Sequence, residues 1–86
     1  MNIEGAIIKE QGVTFAIVVV KPHIINNGNQ CNEARDAFHR YFPGMPIILM
    51  AQDHNGLPTY QGRKDIVAFL ANVDPSRIPW KQYTFN

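Results

Sequence analysis

The chain has 86 residues, 45% of them hydrophobic and 17% charged, and eight basic against seven acidic side chains leave a net charge of +1. This apolar fraction is enough to build a core, so disorder driven by charge is excluded. A net charge near zero also does not favour nucleic acid or an anionic membrane as a partner. At this length we expect one domain over residues 1–86.

Two strands are predicted at the beginning of the chain. Residues 3–9 form a weak strand whose charged ends suit the edge of a sheet, and Gln11-Gly12 forms the turn that follows. Residues 13–20 form the strongest strand, because β-branched and aromatic residues dominate it and both of its faces are apolar. Residues 21–28 are interpreted as a polar loop.

A helix and a second pair of strands follow. Asn29 is the expected N-cap of a helix that ends at Pro43-Gly44. Its apolar stripe at helical spacing consists of Ala34, Ala37, Phe38, Tyr41 and Phe42. Residues 46–51 form a second strand that is apolar on both faces, Asn55-Gly56 is a hairpin signal, and residues 58–61 form the returning strand.

The chain closes with a second helix and an aromatic tail. Residues 64–73 carry apolar side chains at helical spacing. The tail over residues 74–86 is expected to pack on the domain or on a partner, and Pro79 predicts that the tail is extended there. The predicted fold is therefore an α+β, α/β-like single domain of order ββαββα, a four-stranded mixed sheet with two helices. Strands 13–20 and 46–51 flank a helix, so we expect them to run parallel.

Parallel strands would collect chemically useful side chains at one edge of the sheet, at their carboxyl ends. The candidate ligand-binding residues at this edge are Lys21, His23, Asn27, Asn29, Asp53 and His54. Cys31 would be the nucleophile of a catalytic version, with His23 or His54 as its base. The alternatives are solvated loop histidines, turn chemistry at Asp53 and a Cys31 that is simply a small buried hydrophobe.

A metal site and a cofactor are not predicted. Cys31 is the single cysteine, which excludes an internal disulfide and a four-cysteine zinc site. Glycine-rich phosphate loops and nucleophile-elbow motifs are absent from the sequence. The apolar run over residues 13–20 is far shorter than the ~20 residues of a membrane helix. With the single cysteine, this favours a cytoplasmic protein without a membrane partner.

Residues 44–73 resemble the C-terminal ββα half of thioredoxin-like proteins. Pro46, Gly56, Gly62 and the apolar stripe that begins at Ile66 stand where that family has its equivalents. The family's Cys-x-x-Cys pair is missing, since Cys31 is followed by Asn32, Glu33 and Ala34. If the resemblance extends to the fold, it implies a cis Pro46 near Cys31 and an antiparallel orientation of strands 13–20 and 46–51. The orientation therefore stays open at the level of the sequence.

The first functional hypothesis is a non-enzymatic interaction or binding module that self-associates. We expect Ile47 and Leu49 to share the face of Phe15, Ile17 and Val19, and the other face to consist of Ala16, Val18, Val20, Ile48 and Met50. Two short helices cover one face, so the other needs the tail, one helix per face, or a partner. A homodimer through an apolar sheet face or through the C-terminal tail is the predicted assembly. The second hypothesis is a small-ligand protein or enzyme that uses the edge around Cys31.

Overall fold

Within residues 1–85, which the computed structural model describes, five strands form one sheet and three α-helices pack against it. The elements in chain order are β1 (Asn2–Glu10), β2 (Val13–Val19), α1 (Pro22–Ile25), α2 (Gly28–His39), β3 (Ile47–Gln52), β4 (Pro58–Gln61), α3 (Lys64–Leu70), a 3₁₀ turn (Pro75–Arg77) and β5 (Lys81–Thr84). Residue 86, the last of the predicted tail 74–86, lies outside the described residues. None of the helices in residues 1–85 has the length and apolarity to cross a membrane.

The predicted class, a small α+β domain with a mixed sheet, is confirmed, but its details are wrong in two places. The expected order ββαββα lacks α1, which lies in the segment interpreted as a loop, and the expected four strands lack β5. Pro22 occupies the first position of α1, where its fixed φ suits a helix and no N–H is needed. A four-residue helix leaves no periodicity to detect, and β5 depends on its neighbour in the sheet rather than on its own sequence.

The sheet has the order β4-β3-β2-β1-β5. β2 and β3 are its parallel pair, as predicted, and the other neighbours pair antiparallel. The parallel register places Ala16 opposite Ile47 and Ile17 opposite Ile48. The carboxyl ends of β2 and β3 therefore lie side by side at one end of the strands. This end is called the carboxyl edge, and it is distinct from the lateral edges formed by the outer strands β4 and β5.

This register corrects the predicted composition of the two faces. Ile48 and Met50 share a face with Phe15 and Ile17, and α3 covers it with Ile66 and Leu70. On the opposite face, α2 contributes Cys31 to a cluster that also contains Ala16, Val18, Ile47, Leu49 and Phe42. Alternation along each strand was predicted correctly, but a one-residue error in register exchanges the faces of one strand. Each face of the central strands has its own helix.

The tail is held on the sheet by both backbone and side chains. β5 pairs antiparallel with the first half of β1, with Tyr83 opposite Ile3 and Lys81 opposite Gly5. Trp80 is half-buried against the α3 side of the core, and its indole N–H donates a 3.0 Å hydrogen bond to the Pro75 carbonyl. Together these contacts connect the two ends of the described chain.

Gly5 permits the close approach of β1 and β2. A Cβ atom at this position would lie 2.3 Å from the Ile17 carbonyl oxygen, which is a backbone atom that has no free direction of retreat. Gly5 also stands opposite Lys81, so it sits where β2, β1 and β5 meet. A side chain here would have to displace a central strand.

We predict that Gly5→Ala lowers the free energy of unfolding by about 1–3 kcal/mol, because overpacking forces the backbone to shift. Urea denaturation followed by circular dichroism measures the change. Gly28→Ala is the matched control, since an added Cβ meets nothing within 4 Å there, and it should change stability by less than about 1 kcal/mol. Equal effects of the two substitutions would contradict the crowding at Gly5.

Candidate functional site

A small cavity opens at the carboxyl ends of β2 and β3, where the sequence predicted a site. Its volume is about 160 Å³. Its lining consists of Pro22, Ile25, Asn26, Ala51, Gln52, Asp53 and Thr59. Of the predicted site residues, Asp53 belongs to this lining. The structure therefore places a concave surface at the expected edge but builds it mainly from other residues.

The Asp53 carboxylate is engaged in the turn between β3 and β4. Its Oδ1 atom accepts hydrogen bonds from the backbone N–H groups of Asn55, at 2.8 Å, and Leu57, at 2.9 Å. His54 lies in the same turn, and His23 lies on α1; both histidines are exposed. Lys21 precedes α1 and is exposed as well. The Asp53 side chain thus stabilises the turn, and within residues 1–85 no hydrogen bond joins it to either histidine.

Asn27, and not Asn29, is the N-cap of α2. The Asn27 side chain accepts a 3.0 Å hydrogen bond from the Gln30 N–H, which satisfies one of the free donors at the beginning of the helix. Asn29 lies in the first turn of α2 and is exposed. Both asparagines were predicted as ligand contacts, but the Asn27 side-chain oxygen already has a structural partner.

Cys31 is buried, with 1% of its surface exposed. Its thiol lies 3.1 Å from the Ile24 carbonyl oxygen and 3.5 Å from that of Ile25, so it donates toward the last turn of α1. These contacts join α1 to α2 beneath the predicted site. A thiol enclosed in this way acts as a small core residue, and a substrate at the surface does not meet it.

A second cavity, of about 310 Å³, lies at the opposite end of the parallel strands, beside Arg35 and Arg63. The Arg35 guanidinium donates to the backbone carbonyl oxygens of Ile47, at 3.2 Å, and Gln61, at 3.3 Å, as well as to the Gln61 side chain. Arg63 forms an ion pair with Asp65 at 2.8 Å. The two guanidinium groups are therefore occupied by the protein, and Arg35 acts as a tie between α2 and the ends of β3 and β4.

The two outer strands differ in the backbone groups that they present. The Val20 N–H donates to the Met50 carbonyl. The backbone N–H and C=O groups of even-numbered residues in β3 therefore point toward β2, and those of odd-numbered residues point toward β4. Ala51 is paired with Thr59, so the backbone groups of Thr59 point toward β3. Those of its neighbours Pro58 and Tyr60 point away from the sheet, and these two are the outward residues of β4. Pro58 has no N–H, so this edge offers an interrupted row of donors.

The β5 edge carries a continuous row. Met1 and Phe85 exchange two backbone hydrogen bonds, of 2.7 and 2.9 Å, so Tyr83 and Lys81 also face β1. The N–H and C=O groups of Gln82 and Thr84 then point away from the sheet, and no backbone group of residues 1–85 pairs with them. Both residues are exposed.

Aromatic side chains support this edge from one face of the sheet. The aromatic cluster consists of Tyr41, Phe42, Tyr83 and Phe85, with ring centroids 4.5 Å apart for Tyr41–Phe85 and 5.3 Å apart for Phe42–Tyr83. The Lys81 ammonium lies 4.8 Å from the centre of the Tyr83 ring. The aromatic-rich tail was the sequence signal for this arrangement, but its combination with the residues just after α2 was not predicted.

Tyr60 is the outward residue of β4 that has a backbone N–H, and its side chain is also unusual. Its hydroxyl oxygen is buried and has no hydrogen-bond partner within residues 1–85. Burial raises the pKa of the Tyr60 hydroxyl above its ordinary value of 10.0, because the phenolate would lose its hydration. No group beside this oxygen is placed to accept or supply a proton, so we assign it no catalytic role.

Within residues 1–85, no three histidine, cysteine, aspartate or glutamate side chains come together as metal ligands. Within the same described residues, Cys31 forms no hydrogen bond with His23 or His54. The predicted nucleophile and its candidate bases are therefore not brought together at the carboxyl edge in this arrangement.

We predict that the native Cys31 thiol reacts with a disulfide reagent at least ~100-fold more slowly than a peptide cysteine, because reaction requires local opening of the core. Absorbance at the released thiolate gives the rate. Asn29→Cys in a Cys31→Ala background is the control, and its exposed thiol should react at the peptide rate. Equal rates for the two proteins would show that Cys31 is accessible.

We predict a loss of stability above about pH 10 that depends on Tyr60. The pKa of Tyr60 is higher in the folded chain than in the unfolded chain, so its contribution is complete below pH 10 and falls as the unfolded tyrosine ionises. Tyr60→Phe should remove this part of the alkaline transition. At pH 7 the substitution should be neutral or stabilise by up to ~1 kcal/mol, because it deletes an unsatisfied buried hydroxyl. Urea titrations at pH 7 and pH 10.5 test both statements, and an unchanged alkaline transition in Tyr60→Phe contradicts the assignment.

Comparison of the chain with protein-family models, curated proteins and solved structures found no match.

Proposed function

We propose that this protein is a non-enzymatic interaction module that self-associates as a homodimer through its C-terminal strand. The observation that carries the proposal is the row of outward backbone groups at Gln82 and Thr84 on β5. An exposed strand edge is a template for pairing with another chain, and proteins that avoid such pairing interrupt the row with proline or charge. The opposite edge has Pro58 in such a position, whereas β5 has no proline. The charged residue of β5, Lys81, directs its backbone groups toward β1 and holds its ammonium over the Tyr83 ring, so it does not interrupt the row at Gln82 and Thr84.

The first of the two predicted interfaces, an apolar sheet face, has less support than the tail. Ile17, Val18, Ile48 and Leu49 are all completely buried by the helices on the two faces. The large exposed apolar side chains among the described residues are Met1, Ile7 and Leu57. Scattered exposed residues of this kind are ordinary on a soluble surface and do not make an interface.

The rival function, a ligand-binding protein or enzyme at the carboxyl edge, is less well supported by the geometry. The cavity at that edge, about 160 Å³, is smaller than the ~300 Å³ at which ligand pockets usually begin. Its nucleophile candidate, Cys31, is buried under α1. His23 and His54 are exposed and have no partner group that would orient them for acid–base chemistry among the described hydrogen bonds.

The predictions of the compartment and of the absence of a nucleic-acid partner rest on the sequence. A cytoplasmic location is supported by the presence of a single cysteine, which allows no internal disulfide. A net charge of +1 gives no support to a nucleic-acid partner. The thioredoxin-like resemblance of residues 44–73 stays a prediction, but the two features that it implied are not found: β2 and β3 run parallel rather than antiparallel, and no peptide bond in residues 1–85 is cis.

We predict that the average mass in sedimentation equilibrium rises with concentration toward twice the 9.8 kDa of one chain. The interface between two short strands is small, so the association should be weak, and loading concentrations from about 10 μM to 1 mM are needed to follow it. A mass that stays at one chain over this whole range would refute the proposed self-association.

A further inference from the structure

We infer that two copies pair antiparallel through β5, with Tyr83 of one copy opposite Tyr83 of the other, so that their sheets join into one sheet of ten strands. This inference rests on the proposed self-association and adds the surface, the orientation and the register. The occupant of the β5 edge is thus a second copy of the same strand.

The backbone phase of β5 limits which residues can exchange hydrogen bonds across a two-fold axis. Gln82 and Thr84 are the outward residues, so each must stand opposite an outward residue of the second copy. With the axis at Tyr83, Gln82 faces Thr84 of the second copy and Thr84 faces its Gln82. Each of these two pairs exchanges two N–H···O=C bonds, which gives four in total.

In neighbouring registers, outward groups of β5 face residues outside the strand. With the axis at Gln82, Thr84 would stand opposite Trp80 of the second copy, but the Trp80 N–H is already bonded to the Ile78 carbonyl at 2.8 Å. With the axis at Thr84, the outward groups of Gln82 would face position 86, which is not part of β5. The register centred on Tyr83 uses the whole described segment 81–85. It is therefore the pairing in which every outward N–H and C=O group of β5 bonds to another outward group of β5.

The side chains are complementary in this register. Antiparallel partners point to the same face, so the two Tyr83 rings meet on the face of the aromatic cluster, and Lys81 lies opposite Phe85 of the second copy. The Lys81 ammonium already lies 4.8 Å from the Tyr83 ring centre, and another aromatic ring beside it adds a favourable cation–π contact. On the other face, uncharged Gln82 meets uncharged Thr84. No like charges face each other directly.

The alternative edge and the rest of β1 are less suited to a second copy. The outward positions of β4 include Pro58, which lacks a donor. On β1, the residues beyond Gly5 have no partner in β5, but the chain at Pro79 and Ile78 borders them, beside Ile7 and Lys9. A strand added there would meet this segment.

Charges introduced on the outward residues test the pairing through β5. Gln82→Glu with Thr84→Glu places like charges opposite each other in both pairs, so self-association should weaken by about tenfold or more at low salt. Gln82→Lys with Thr84→Lys should weaken to a similar extent. An equimolar mixture of the two double variants should form a heterodimer at least as tight as the wild-type dimer, because each pair then joins opposite charges. Sedimentation equilibrium measures all three.

The control separates this pairing from a general effect of charge. His54→Glu with Thr59→Glu adds the same two charges at exposed positions on the opposite edge and should leave dimerisation unchanged. Circular dichroism and urea denaturation establish that each variant is folded. If a folded double-glutamate variant dimerises like the wild type, the β5 register is wrong although self-association stands. If the wild type is monomeric, the proposed function fails together with this inference.

Where both double variants are too unstable to compare, a cross-link replaces them. Tyr83→Cys in a Cys31→Ala background should form an intermolecular disulfide on mild oxidation, since opposed residues at a non-hydrogen-bonded position have Cα atoms about 4.5 Å apart. Gln82→Cys in the same background should cross-link at least about tenfold more slowly, because its own counterpart is displaced along the strand. Equal rates for the two cysteines would overturn the register.

Discussion

The parallel pairing of β2 with β3 is the constraint on which the rest of the structure depends. Both strands are apolar on both faces, and Ile17, Val18, Ile48 and Leu49 have no exposed surface. A strand of this kind needs a neighbour on each side and a cover on each face. The chain meets these needs with β1 and β4 at the sides, α2 on one face and α3 on the other.

Covering the two faces separately has a consequence for function. Once one helix lies on each face, the central strands have no apolar surface left for a partner. The unpaired backbone N–H and C=O groups of the sheet are then confined to its two outer strands. Sheets usually protect such edges. Pro58 interrupts the backbone donors at one edge, whereas Gln82 and Thr84 leave them continuous at the other. This asymmetry makes the tail, rather than a sheet face, the better candidate for self-association.

The packing of the tail separates its structural role from its interactive one. Trp80 and the aromatic cluster attach the segment to the core through their side chains, on opposite faces of the sheet. Aromatic pairs of this geometry contribute about 0.5–1.5 kcal/mol each beyond their buried area. The strand is therefore fixed by one set of its groups, while the outward backbone groups of Gln82 and Thr84 stay available. A preformed strand loses little conformational entropy when a partner adds to it.

The carboxyl edge of the parallel strands shows that a correct strand direction does not by itself predict the chemistry of the site. Lys21, Asp53 and His54 follow the two strands as expected, because parallel strands bring their ends to one edge. The local backbone, however, uses the polar groups for itself: Asp53 closes a turn and Asn27 caps α2. Polar residues in short loops serve these roles more often than they bind ligands, and the sequence does not separate the two uses.

Local pattern alone determined much of the fold. The apolar runs of β2 and β3, the hairpin signal at Asn55-Gly56 and the strand at 58–61 could all be predicted, because turn chemistry and strand composition act over a few residues. The parallel direction followed from the intervening helix. Tertiary structure alone decided the register of Ala16 with Ile47, which assigns each apolar residue to its face, since that choice depends on how side chains from distant segments fill one core. It also decided that Lys81–Thr84 becomes a strand, because a short segment at the end of a chain acquires that form only from the neighbour with which it pairs.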